Sequence, residues 1–146
     1  MMLRFFAFLA CLLLGAPTVR AQRATPPAPK LKPSFYTTYT YLTYSISDKG
    51  SGPAPISARG VGGTLTFRPD GTYEKHLQLA NGGTTMSFDQ TGRFIFTGDQ
   101  ITLSYADKKG EPRTDQGSFR LRSNVLTLII QGFPAGNYST YTLRAQ

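Results

Sequence analysis

From Phe35 onward the chain carries no helical period. Short runs rich in Thr, Tyr, Phe and Leu alternate with clusters of Gly, Asn, Asp and Pro. Within the runs apolar residues recur at every second position, the spacing of a strand with one face in a core. Beyond the N-terminus no apolar series at i, i+3, i+4 and i+7 is found. A chain of this pattern folds as β-sheet, and the spacing of its turns says how the strands connect.

The first run, Phe35 to Ile46, is dense in Tyr and Thr, both good strand formers. Asp48 to Gly60, with Gly50, Gly52, Pro53 and Pro55, reads as a long loop. Gly63 to Arg68 puts Leu65 and Phe67 on one face, and Pro69-Asp70-Gly71 is a strong turn signal. Thr72 to Leu79 returns with Tyr73, Leu77 and Leu79 together, and Asn81-Gly82-Gly83 turns again. Thr84 to Gln90 (Met86, Phe88) and Arg93 to Thr97 (Phe94, Phe96) read as two further runs. After Gly98-Asp99, Ile101, Leu103 and Tyr105 share a face. Ala106 to Asp115 reads as a charged loop. Ser118 to Arg122 points Phe119 and Leu121 inward, Val125 to Ile130 points Leu126, Leu128 and Ile130, and Tyr138 to Arg144 points Tyr141 and Leu143.

Eight or nine strands joined mostly by tight turns predict an all-β, antiparallel up-and-down meander closed into a barrel, since closure removes exposed edges. A membrane barrel of similar length would need strands of about 9–11 residues with an apolar outer face. Most runs here are shorter, and the face opposite the apolar stripe carries Thr, Ser, Arg and Gln, which suits water.

The N-terminus reads as an export signal. Met1 to Arg4 carries one positive charge, Phe5 to Ala16 is an almost unbroken apolar run of 12 residues, and Val19-Arg20-Ala21 leaves a small residue before Gln22. A spanning helix needs about 20 apolar residues, so no transmembrane span is expected after cleavage between Ala21 and Gln22. Cys11, the one cysteine, lies inside this run, and the faint lipidation pattern around it is the weaker reading. Gln22 to Pro33 contains Pro26, Pro27, Pro29 and Pro33 and reads as an extended arm. The expected organisation is signal peptide 1–21, Pro-rich arm 22–34 and barrel 35–146. Export to the periplasm or outside follows, possible without disulfides.

At Leu65-Thr66-Phe67-Arg68-Pro69-Asp70-Gly71-Thr72-Tyr73 the chain resembles the L-x-F-x-x-D-G-x-Y hairpin of bacterial lipocalin-like proteins. Gly92-Arg93-Phe94-Ile95-Phe96, Gln100-Ile101-Thr102-Leu103, Gly117-Ser118-Phe119-Arg120-Leu121 and Leu126-Thr127-Leu128 follow in the order such domains show. The resemblance covers Phe35 to Arg144. It implies a secreted eight- to nine-stranded lipocalin-like (calycin-type) barrel that binds a small apolar or amphipathic ligand. The chain departs from the family in having no Trp, hence no Gly-x-Trp to close one barrel end. Tyr39, Tyr41 and Tyr44 are the candidates for that plug. Cavity candidates are Phe67, Tyr73, Lys75, Phe88, Phe94, Phe96, Leu103 and Leu128, with Lys75 expected near the barrel mouth.

Catalytic patterns are sparse. His76, the one histidine, shares a strand face with Glu74 and Gln78, which is an incomplete site for metal or acid–base chemistry and reads as an exposed polar stripe. Asp70, Glu74, Asp89 and Asp99 are the candidates for a carboxylate pair, and two of them sit in turns. No Gly-x-Ser-x-Gly elbow or phosphate-binding fingerprint occurs. Neither enzyme activity, a cofactor nor a metal is expected. Lys plus Arg is 16 against 8 acidic residues, a formal +8 that loss of Arg4 and Arg20 lowers to +6. Basic residues do not cluster, so no nucleic-acid partner is expected. The charge leaves a second reading, a structural or interaction protein attached to an anionic envelope surface.

Overall fold

The computed structural model describes residues 32–146 of the chain. The expected signal peptide and most of the expected Pro-rich arm lie outside the described residues. A 3-10 turn, Pro33–Phe35, leads into nine strands: β1 Thr38–Ser47, β2 Ile56–Ser57, β3 Val61–Phe67, β4 Thr72–Asn81, β5 Thr84–Thr97, β6 Gln100–Ala106, β7 Pro112–Arg122, β8 Val125–Gln131 and β9 Tyr138–Ala145. Every pairing among these strands is antiparallel. They run in the order β1-β3-β4-β5-β6-β7-β8-β9, and β9 pairs back onto β1 from Tyr39↔Ala145 to Ser47↔Tyr138. This is an eight-stranded closed barrel. β2 adds a short ninth strand on β1 and breaks up the expected loop between Asp48 and Gly60.

Alternation dictates the core. Leu65 and Phe67, Tyr73 and Leu77, Ile101 and Leu103, Leu126 and Leu128, and Tyr141 and Leu143 are all buried in one cluster, while the outward positions between them carry Thr66, Glu74, His76, Thr102, Thr127 and Thr142. Burying each such side chain contributes roughly 1.5–3 kcal/mol. At Asn81-Gly82-Gly83 both glycines have positive φ (57° and 85°), the backbone that a two-residue hairpin of this twist demands.

The structure departs from the sequence reading in three places. The runs Thr84 to Gln90 and Arg93 to Thr97 are one 14-residue strand, β5, which passes from β4 to β6 at Gly92. A Cβ at Gly92 would run into the Ser104 carbonyl oxygen and the Tyr73 ring, so glycine lets the strands close around that ring. The charged loop shrinks to 107–111, and β7 begins at Pro112, which brings Asp115 opposite Leu103. In β1 a bulge at Leu42 shifts the register between Tyr41 and Thr43. The strand thereby changes parity, and Tyr39, Tyr41 and Tyr44 all turn toward the interior.

The two barrel ends differ. The turns β3–β4, β5–β6 and β7–β8 mark one end, and the 3-10 turn lies across it. Phe35 is buried there with its ring centroid 4.8 Å from Phe67, 5.2 Å from Phe119 and 6.1 Å from Phe94. Tyr39 Oη donates to the Phe35 carbonyl at 2.8 Å. The plug is therefore Phe35, and of the three tyrosines expected in that role Tyr39 braces it. The opposite end carries the β4–β5 hairpin and the β6–β7 and β8–β9 loops, and there the 84–91 stretch of β5 has no β6 partner.

Candidate functional site

The interior changes character along its axis. Phe35, Phe67 and Phe94 pack together at the closed end, Phe67 and Phe94 lying 4.9 Å apart at 73°. Above them lies a chamber of about 30 Å³ lined by Tyr41, Leu65, Tyr73, Lys75, Gln90, Leu103, Asp115, Leu128, Ile130 and Tyr141. Four of the eight expected cavity residues, Tyr73, Lys75, Leu103 and Leu128, meet here. Phe67 and Phe94 belong instead to the solid aromatic end, and Phe96 is half-buried against the core. Phe88 is 46% exposed and does not line the chamber. It pairs with Leu77 on the inner face, but β6 pairs with β5 only from Gly92 onward, so the preceding stretch overhangs the barrel rim.

Asp115 and Gln90 complete the chamber and were not singled out from sequence. Their parity held the signal: Asp115 is in phase with Phe119 and Leu121, and Gln90 with Phe94 and Phe96. Polarity masked it, because a charged residue near a Lys-Lys-Gly stretch reads as loop.

The polar groups are arranged as a small cluster. The Lys75 ammonium sits 5.3 Å from the centroid of the Tyr141 ring, within cation–π range. Tyr141 stacks on Tyr44 at 4.7 Å and meets Tyr41 edge-on at 5.8 Å. Tyr105 Oη donates to Asp115 Oδ1 at 3.3 Å. Among the described residues Lys75 has no carboxylate within ion-pair distance. Burial lowers its pKa, an effect that the Asp115 charge opposes. Burial raises the Asp115 carboxyl, while the Tyr105 hydrogen bond and Lys75 pull it back. Burial likewise pushes Tyr39 up to about 12 and raises Tyr41, Tyr73 and Tyr141, so the phenols stay protonated and remain donors. The Tyr73 hydroxyl is buried with no hydrogen-bond partner among the described residues.

Leu79 and Met86 border a surface depression that they share with Ser57, Arg59 and Asn81. Leu79, Met86 and Phe88 lie on the inner face of the overhanging hairpin, the last two 45% and 46% exposed. Phe133, 95% exposed, borders a surface depression that it shares with Asp115.

The acidic candidates lie elsewhere. Glu74, His76 and Asp89 form a chain on the outer wall: His76 Nε2 is 2.9 Å from Glu74 and Nδ1 is 2.9 Å from Asp89, while Arg68 donates to Glu74 at 2.6 Å. The hydrogen bond to Asp89 first, then that to Glu74, raises the His76 pKa. Asp70 accepts from the Thr72 N–H and hydroxyl in its turn, and Asp99 accepts from the Gln100 side chain. No group of three or more His, Cys, Asp or Glu that could hold a metal ion occurs among the described residues. No helix among them is long and apolar enough to cross a membrane.

An eight-stranded meander plugged at one end, with a small polar chamber toward the other, defines a calyx-shaped barrel. A family model described as a lipocalin-like domain matches residues 37–144, and the chain belongs to that family. No curated protein matches the sequence. Among solved structures, the chain is similar to the possum milk whey lipocalin trichosurin, determined with 4-ethylphenol bound. Identity is 13%, the match covers 76% of this chain and 75% of that one, and the TM-score is 0.45. It is also similar to an uncharacterized protein from Bacteroides eggerthii at 10% identity, covering 77% and 99% of the two chains with a TM-score of 0.42.

Proposed function

We propose that the chain is an exported, non-enzymatic binding protein that holds a small apolar or amphipathic ligand at the unplugged end of its barrel. The observation that carries this reading is the chamber itself. A barrel whose only task is to be stable would fill that space with carbon, whereas this one places a lysine, an aspartate and an unsatisfied phenol there. Such groups cost stability when buried and are retained where they contact something. Family membership supports the same reading, and the N-terminal export pattern supports an extracytoplasmic location. Size limits the ligand. Drug-sized pockets run from about 300 Å³ upward, so only one end of a ligand enters the chamber and the rest lies against the rim. Native mass spectrometry of protein purified from a bacterial periplasm tests this. The expected result is a reproducible added mass that organic extraction removes. A bare mass that incubation with fatty acids and phospholipids leaves unchanged would mean a barrel without a ligand.

A second reading is favoured by one surface feature. Arg120, Arg122 and Arg144 are exposed on the outer wall of β7–β9, in register through Thr127 and Val125, and none has an ion-pair partner among the described residues. An anionic envelope polymer or lipid suits this patch. Envelope pull-down that weakens between low and high salt is the expected outcome, and salt-independent capture counts against it.

A further inference from the structure

Resting on the second reading, in which the outer wall attaches the protein to an anionic surface, we infer that this wall binds a polysaccharide of carboxylate-bearing sugars. The polymer lies along Arg120, Arg122 and Arg144, and one sugar unit seats in a depression beside Arg120.

The first argument is charge. Arg68 donates to Glu74 and Arg93 to the Asp70 carbonyl. Arg120, Arg122 and Arg144 are exposed, and none has an ion-pair partner among the described residues. Arg120 and Arg122 stand two positions apart on β7, about 7 Å, and Arg122 is joined through Val125 to Arg144, two strand spacings or about 10 Å away. A linear polymer crossing the wall obliquely meets the three guanidiniums in turn. Each guanidinium fork takes both oxygens of a carboxylate, which an acidic polymer supplies repeatedly. Residues 22–31 precede the 3-10 turn that lies across this end of the barrel, and they add Arg23 and Lys30 and no acidic residue.

The second argument is shape. β6 begins at Gln100, opposite Ser118, so β7 runs on past the β5–β6 turn. Beside this step lies a depression of about 320 Å³ lined by Asp99, Ser118, Phe119, Arg120, Thr127 and Ile129. The Phe119 N–H donates to the Asp99 carbonyl at 2.8 Å and fixes the turn at its edge. The lining suits a sugar ring. Ile129, 37% exposed, offers an apolar surface to ring C–H groups, and Ser118 and Thr127 offer hydroxyls. The Asp99 carboxylate accepts from sugar hydroxyls and, by repulsion, turns a sugar carboxylate toward Arg120. A nucleobase needs an exposed aromatic plane, and the Phe119 ring is packed on Phe35. The outside of a closed barrel is convex, so a planar bilayer reaches it only along a line, whereas a polymer follows it. The interior chamber lies toward the other end, so polymer and chamber do not compete.

Affinity electrophoresis of the full chain in gels containing polygalacturonate or neutral dextran, beside co-sedimentation with phosphatidylglycerol vesicles, tests the assignment. Polygalacturonate is expected to retard the protein and dextran to leave it unaffected. Arg120→Gln combined with Arg122→Gln should weaken polygalacturonate binding about tenfold or more, as loss of charged hydrogen bonds requires. Lys108→Gln combined with Lys109→Gln removes the same charge from the β6–β7 loop and should change it little. Thr127→Val, isosteric and uncharged, should weaken it several-fold, which diffuse attraction between opposite charges would not produce. Equal losses in the two double variants, or undiminished binding in Thr127→Val, overturn the site. Should Thr127→Val fail to fold, Ser118→Ala reports on the same depression with the same expected loss. Sedimentation with the vesicles without retardation by polygalacturonate overturns the polysaccharide and leaves the anionic-surface reading standing. No interaction with either probe, together with salt-independent envelope capture, removes both.

Discussion

Lys75 and Asp115 face the same small chamber from opposite sides of the barrel, one on β4 and the other on β7, and shift each other's protonation without forming an ion pair. Replacing Lys75 by Met removes the cation that holds the Asp115 carboxyl down, so the Asp115 pKa should rise further. Carboxyl-detected NMR titration measures this directly, and an unchanged value would mean that the two groups do not sense each other. The sign for stability follows. Asp115 is already raised in the folded state, so its contribution to stability falls as pH climbs from its unfolded to its folded pKa, and the variant should widen that window upward.

The Tyr73 hydroxyl is dehydrated without compensation. Tyr73→Phe removes that penalty and keeps the ring against Phe67, 6.3 Å away. A stabilisation of about 1–3 kcal/mol is expected in urea denaturation of the ligand-free protein. A loss of similar size would show that the hydroxyl has a partner in solution.

Phe35 seals the closed end against Phe67, Phe94 and Phe119. Phe35→Ala should cost about 3–5 kcal/mol, the range for a fully buried aromatic. If the cost is well under 1 kcal/mol, the plug is not part of the cooperative fold, and the barrel stands without it.

At Gly92 any side chain meets the Ser104 carbonyl and the Tyr73 ring. Gly92→Val is expected to destabilise by about 1–3 kcal/mol or more through overpacking, and to distort the chamber floor with it. Gly82→Asn, in an open turn with positive φ, is the control and should be near neutral.

On the outer wall the carboxylates of Asp89 and Glu74 raise the His76 pKa. The stabilisation is fully present below the unfolded histidine value and disappears as pH rises through the folded one. His76→Gln should therefore lower the melting temperature slightly near pH 5.5 and leave it unchanged near pH 9. Because the site is exposed, the effect is small and weakens with salt. No assigned binding activity should change.

The local pattern of residues determined much of this protein. Alternation within each run placed Leu65, Phe67, Tyr73, Leu77, Leu103 and Leu128 on the buried face, and the Pro69-Asp70-Gly71 and Asn81-Gly82-Gly83 signals placed the turns. Side-chain parity and turn chemistry are properties of a few neighbouring residues, so they are legible one segment at a time. Three things needed the assembled barrel. The Leu42 bulge reverses parity within β1, and no pattern of Tyr and Thr announces where it falls. Phe88 has the parity of an interior residue yet stands on an overhang, because its burial depends on how far β6 runs alongside β5. Asp115 looks like a loop residue and lies inside, because seven β6–β7 pairings from Gln100↔Ser118 to Ala106↔Pro112 hold its strand in place. Which face a side chain takes is decided locally, but whether that face meets protein, solvent or a chamber is decided by the strands beside it.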